Sequence, residues 1–166
     1  MNTGTLTKVS IMMVLVFLGT YLFKVPVAGG YCHLGDGMIF LGVVLLGGKK
    51  GAVAGGIGAA LADLMSGYPV WAAPTLFVKA IMALMVGLFM EKILPGRRLG
   101  WLAGAVAGGL FQVVGYTVTE AVLIGYKTAL VDIPGQVIQT SAGIMIAAVL
   151  IQMLQSSGFL KRLREL

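Results

Sequence analysis

Strongly apolar segments alternate along this chain with short breaks rich in glycine, proline or charge. The pattern predicts six helices: about Thr5 to Phe23, Gly37 to Gly47, Gly51 to about Ser66, Thr75 to about Ile93, Leu99 to Gly125, and about Pro134 to Gln155. Crossing a hydrocarbon core takes roughly 20 helical residues, and the second run is too short for that. It is expected to begin below the membrane surface, which draws the preceding loop, Lys24 to Asp36, into a cavity. Tyr68 to Pro74, with two prolines, is expected to form a second connection on the same side, and the fifth helix is expected to be the longest. These elements make an all-α integral membrane bundle of six transmembrane helices, a single domain over residues 1–166.

Charge placement then sets an orientation. Lys8, Lys49 and Lys50, Lys92 with Arg97 and Arg98, and Lys161, Arg162 and Arg164 fall on one side of such a bundle. Only Lys24 and Lys127 fall on the other, and Lys79 sits within an apolar segment. Basic residues in short loops stay cytoplasmic, so both termini are expected inside a prokaryotic plasma membrane. The composition fits: 58% hydrophobic and 11% charged residues leave too little polar surface for a soluble domain of 166 residues. The net charge of +6 is therefore read as a topology signal and a contact with lipid headgroups, with no nucleic acid as partner. The single cysteine, Cys32, excludes an intramolecular disulfide and a cysteine-only metal site. The first apolar segment lacks a small-residue cleavage site and is expected to remain as a helix.

Glycine is frequent, 25 of 166 residues, and Gly96, Gly100, Gly104 and Gly108 recur at every fourth position. Small residues at this spacing let helices approach closely where lipid supplies no hydrophobic driving force. A tightly packed bundle is the plain reading, and a docking surface for another membrane protein the sharper one. No long internal repeat supports an inverted-repeat carrier.

The remaining polar residues are the candidates for function. Asp63 and Lys79 lie at matching depth on adjacent antiparallel helices, which predicts a mutual ion pair, structural or forming a wall of a binding site. Gln112, Tyr116 and Glu120 share one face at i, i+4, i+8, and Gln136, Gln139 and Thr140 share another. With Tyr31, His33 and Asp36 from the first loop and Trp71 from the second, they converge on the outer third of the bundle. Aromatic rings with carboxylate and amide partners suit a small, flat, polar heterocycle. Asp36 alternatively caps the second helix. His33 with Asp36 is too sparse for a metal, no nucleophile elbow supports catalysis, and Gly47 to Gly51 lacks the spacing of a phosphate loop. The expectation is no enzyme, no bound cofactor and no ATP hydrolysis by this chain.

The stretches Gly30-Tyr31-Cys32-His33-Leu34-Gly35-Asp36-Gly37 and Ala62-Asp63-Leu64-Met65-Ser66-Gly67-Tyr68-Pro69, the second leading to Lys79, carry a family resemblance. With the six-helix layout, the chain resembles the substrate-binding S components of energy-coupling factor (ECF) vitamin transporters. It is most similar to the riboflavin-transporter-type branch, which includes proteins for pyridoxine-like or hydroxymethylpyrimidine-like ligands. The resemblance implies a subunit that captures a small vitamin or precursor and associates with a transmembrane coupling protein, the T component, and two cytoplasmic ATPases that use the ATP. Family members often carry an Ala-xxx-Ala docking motif on the first helix, whereas this chain reads Ser10 to Phe17 there, with Ser10 and Gly19 as small sites. Two other classes stay open: a self-sufficient proton-coupled carrier or channel using Glu120, Asp63 and Lys79, and a membrane enzyme or structural subunit.

Overall fold

A computed structural model describes residues 2–97 and 99–157. Arg98 and the basic residues Lys161, Arg162 and Arg164 lie outside the described residues. Six α-helices follow one another: α1 (Thr3–Tyr21), α2 (Gly35–Leu46), α3 (Gly48–Met65), α4 (Pro69–Leu88), α5 (Gly100–Leu123) and α6 (Tyr126–Ser156). Between α1 and α2 the chain forms an antiparallel hairpin of β1 (Lys24–Pro26) and β2 (Tyr31–His33), with Lys24 opposite His33 and Pro26 opposite Tyr31. Among the described residues the regular structure is thus helical except for two three-residue strands in the segment expected to be a loop.

Local chemistry explains the boundaries that differ from the sequence pattern. Tyr68 to Pro74 is not an extended connection, because α4 starts at Pro69. Proline suits the first helical position, where its N–H is not required and its φ is preset, and Pro74 is carried inside the helix. Similarly, α6 begins at Tyr126 and takes in Pro134, which makes it 31 residues long and longer than the 24-residue α5. Gly125, at φ 130, turns the chain between them, and only glycine adopts that backbone readily. The α4 helix widens into a π-helical turn at Phe89–Ile93, just before Pro95 and Gly96.

Among the described residues, four helical segments are long and apolar enough to cross a membrane: α1, α4 with its π-helical turn, α5 and α6. At 12 residues α2 is about 18 Å long. The outward surface is apolar. Leu110, Val114, Val118 and Val122 repeat at every fourth residue of α5 and are all exposed, a stripe that suits hydrocarbon contact. Inside, Val16, Ile39, Phe40, Val43, Met82 and Val86 form the packed core, at 0% exposure.

Glycines set how closely the helices meet. A Cβ on Gly104 would lie 2.7 Å from Val86 Cα and one on Gly108 2.8 Å from the Met82 carbonyl oxygen. These two glycines of the four-residue repeat therefore seat α5 on α4, whereas Gly96 lies in the turn before α5 at φ 71. The approach of α3 to α4 is closer still, since a Cβ on Gly87 would sit 2.3 Å from Gly48 Cα. Backbone atoms cannot rotate away as a side chain can, so Gly87→Ala must push the two helices apart. It is expected to cost about 1–3 kcal/mol, the range for overpacking. Thermal unfolding of the purified protein in detergent checks this, and an unchanged midpoint would contradict the close approach.

Candidate functional site

At the centre of the bundle is a ring of polar side chains. Asp36, in the first turn of α2, Lys79 of α4 and Gln112 of α5 are all at 0% exposure. Lys79 Nζ donates to Asp36 Oδ1 at 2.5 Å and to Gln112 Oε1 at 2.6 Å. Gln112 Nε2 donates to Asp36 Oδ2 at 2.9 Å and to Thr140 Oγ1 at 2.8 Å. From α6, Gln139 Nε2 donates to Asp36 Oδ2 at 3.1 Å, and the Lys79 ammonium also lies 5.2 Å from the Tyr116 ring centroid. The Asp36 carboxylate thus accepts three bonds, and the charges of a buried pair are tolerable only when so satisfied.

This arrangement corrects the expected pairing of Lys79 with Asp63. The partner of Lys79 is Asp36, at 0% exposure on both sides. Helix depth alone does not fix position around the bundle axis. Because α2 begins at Gly35, Asp36 enters the centre as part of a helix, without an N-cap side-chain bond from Leu34 or a capping role of its own. Asp63 instead accepts the Tyr31 hydroxyl at 2.5 Å.

The hairpin is tied down at both ends. At its base Lys24 Nζ donates to Ser66 Oγ at 2.7 Å. At its turn the Ala28 and Gly29 N–H groups donate to Asp132 Oδ1 and Oδ2 at 3.2 and 2.6 Å. Between these, the His33 N–H donates to Gln139 Oε1 at 3.0 Å. Gln139 therefore connects the hairpin to the buried ion pair through its two amide atoms.

Under the hairpin lies a cavity of about 540 Å³, including its open mouth. Of the ten expected binding residues, Tyr31, His33, Trp71, Tyr116, Glu120, Gln136 and Gln139 line it. Asp36, Lys79 and Gln112 do not line it and form the polar ring behind it. Trp71 and Tyr116 make one aromatic wall, ring centroids 6.2 Å apart, and Tyr31 and His33 lie 5.8 Å apart on the hairpin side. Tyr116 donates its hydroxyl to Thr75 Oγ1 at 3.1 Å. Asp132, Thr75, Asp63 and Cys32 also reach the cavity. Asp132 is absent from the site residues expected from the sequence, whose pattern starts the sixth helix at about Pro134, whereas α6 begins at Tyr126. The spacing of Asp132 to Gln136 and Gln139, i, i+4, i+7, marks one helical face and was the available signal.

The hairpin groups keep defined protonation states. Burial, then Asp63, pushes the Tyr31 phenol above its ordinary range, so it remains a donor. Burial and the neighbouring Lys79 ammonium push the His33 imidazole down to about 3. His33 is therefore neutral, and its Nδ1 accepts the Gly35 N–H at 3.1 Å.

A family model for the ECF-type riboflavin transporter S component matches residues 1–156. The chain belongs to that family. Among relatives of this S component, the thiamine precursor transporter HmpT of Lactococcus lactis subsp. cremoris is 27% identical over 99% of this chain and 95% of its own length. An uncharacterized protein of Pyrococcus woesei is 38% identical over 79% of this chain and 88% of its own. The family is one of transporter subunits, and with four long apolar helices the S component is a membrane protein.

Removing one member of the buried pair leaves the other charge uncompensated. Asp36→Asn or Lys79→Met is expected to destabilise the S component by about 3–5 kcal/mol, and the double variant by less than the sum. Denaturant unfolding in detergent measures both, and strict additivity would break the pairing. A second expectation concerns pH. Folding holds His33 neutral with its proton affinity lowered, so its contribution is complete above the unfolded value of about 6.5 and is lost as pH falls towards about 3. His33→Asn should flatten the decline in unfolding midpoint between pH 7 and 5, and an unchanged slope would remove His33 as its source.

Proposed function

We propose that this S component captures a small nitrogen heterocycle of the hydroxymethylpyrimidine or pyridoxine type and releases it inward with a T component and two cytoplasmic ATPases. The observation that carries the reading is the cavity lining: Trp71, Tyr116, Tyr31 and His33 for the ring faces, Gln136, Gln139, Glu120, Asp132 and Asp63 for its substituents, and no lysine or arginine among the described lining residues. Of the nearby cations, Lys79 is occupied by Asp36 and Gln112, and Lys24 by Ser66 and the Tyr21 and Tyr31 rings. Such a site suits a neutral or cationic ring and disfavours a phosphorylated one, whose charge would face three carboxyl groups. The relation to a thiamine precursor transporter supports the pyrimidine class over the larger flavin in the family's description.

In this reading all six helices are embedded with both termini cytoplasmic, as the basic residues Lys8, Lys49, Lys50, Lys92 and Arg97 favour. The hairpin then faces outward, in a prokaryotic plasma membrane. The described residues offer no phosphate loop, so the energy of accumulation comes from the partner ATPases.

Native mass spectrometry of the purified protein is expected to release a pyrimidine- or pyridine-sized molecule. Calorimetry with 4-amino-5-hydroxymethyl-2-methylpyrimidine should show Tyr116→Ala and Gln139→Ala weakening binding about ten- to a hundredfold, the loss of one buried partner. Wild-type affinity in both variants would remove the site from α5 and α6. Accumulation by sealed vesicles carrying this protein alone under a pH gradient would favour the self-sufficient carrier instead.

A further inference from the structure

Two carboxyl groups, Glu120 and Asp132, meet at the turn of the hairpin, and one oxygen of Glu120 is left over. Asp132 accepts the Ala28 and Gly29 N–H groups. Glu120, 2% exposed and lining the cavity, has its Oε1 without a hydrogen-bond partner among the described residues. Gly29 is what lets them come together. A Cβ there would fall 1.4 Å from Glu120 Oε1 and 2.9 Å from Asp132 Oδ2, so a side chain at this position would expel Glu120 from the turn. A buried carboxylate oxygen left unpaired costs the desolvation of that group. The complementary ligand feature is an N–H edge, neutral or cationic, that can donate to it.

We infer that Glu120 and Asp132 form the specificity-determining pair of this cavity: they take the amino edge of the bound ring, and because Asp132 also holds Ala28 and Gly29, that contact couples recognition to the seating of the hairpin. The inference rests on the reading of the cavity as a nitrogen-heterocycle site and names the atoms that choose among such rings. An aminopyrimidine presents an exocyclic N–H beside a ring nitrogen, and on protonation two parallel N–H groups, which match a carboxylate as a fork matches a fork. Replacing the amino group by an oxo group puts an acceptor against acceptors.

The test uses the full chain in detergent, with 4-amino-5-hydroxymethyl-2-methylpyrimidine and its 4-oxo counterpart as probes. Cys32, the single cysteine, lies on the hairpin, lines the cavity and is partly exposed, so its alkylation rate reports hairpin seating. Wild type is expected to bind the amino compound at least about tenfold more tightly than the oxo compound, and to be protected at Cys32 by it. Glu120→Gln should bring the two affinities together. Asp132→Asn should do the same and also lose protection of Cys32 at saturating ligand. Equal affinity of wild type for both compounds, or variants that weaken both compounds alike and keep the preference, would overturn the inference while leaving the heterocycle reading in place. Binding of neither pyrimidine by wild type would overturn the pyrimidine reading and this inference together.

Discussion

Placing a charged pair inside an apolar bundle is the constraint on which the rest of the molecule depends. Asp36 and Lys79 are fully buried, and each charge is compensated only because groups from α5 and α6 converge on it. Two charges removed from water are costly unless their remaining hydrogen-bonding capacity is met. In hydrocarbon no water can replace a missing partner. The ring therefore fixes the relative positions of α2, α4, α5 and α6 more narrowly than apolar packing, which tolerates sliding. Glycine supports the same result on α2 and α6, where a Cβ on Gly143 would lie 2.7 Å from Asp36 Cβ.

A fixed centre gives the cavity one wall, and the hairpin above it is held by side chains from several elements. Asp132, Gln139, Asp63 and Ser66 each contribute side-chain contacts to it. Gln139 is the shared member, with one amide atom on the His33 backbone and the other on Asp36. Hairpin position is thereby referred to the ion pair through one side chain. Small displacements of β2 must stretch that link or move the amide away from the buried carboxylate. Polar groups bordering the cavity are thereby held in register.

Much of this was legible in the chain, and the misreadings have physical causes. The apolar segments, the shared faces of Tyr116 with Glu120 and of Gln136 with Gln139, and the packing role of Gly104 and Gly108 follow from helical periodicity, whereas Tyr31, His33 and Trp71 were placed by the loops on the same side. Proline misled at two boundaries, because Pro69 can open a helix and Pro74 and Pro134 are accommodated within helices whose neighbours and apolar surroundings hold them. The second error hid Asp132. The choice of Asp63 for Lys79 failed for a different reason: depth is a one-dimensional quantity, and the partner was decided by position around the bundle axis. Tyr31 supplied Asp63 with a donor that pairing by charge alone does not consider.

The distribution of charge inside the molecule also narrows what the cavity can hold. The one central cation is neutralised by Asp36 and spaced from the cavity, whereas Asp63, Asp132 and Glu120 all border it. Asp63 and Asp132 spend acceptor capacity on the hairpin, on the Tyr31 hydroxyl and on two backbone N–H groups. Glu120 gives the hairpin no bond, and its Oε1 has no hydrogen-bond partner among the described residues. In the proposed reading, anionic rings are disfavoured beside these carboxyl groups, and neutral rings that present a donor are favoured. A cavity that took its selectivity from shape alone would have no need to keep three carboxyl groups under one short hairpin.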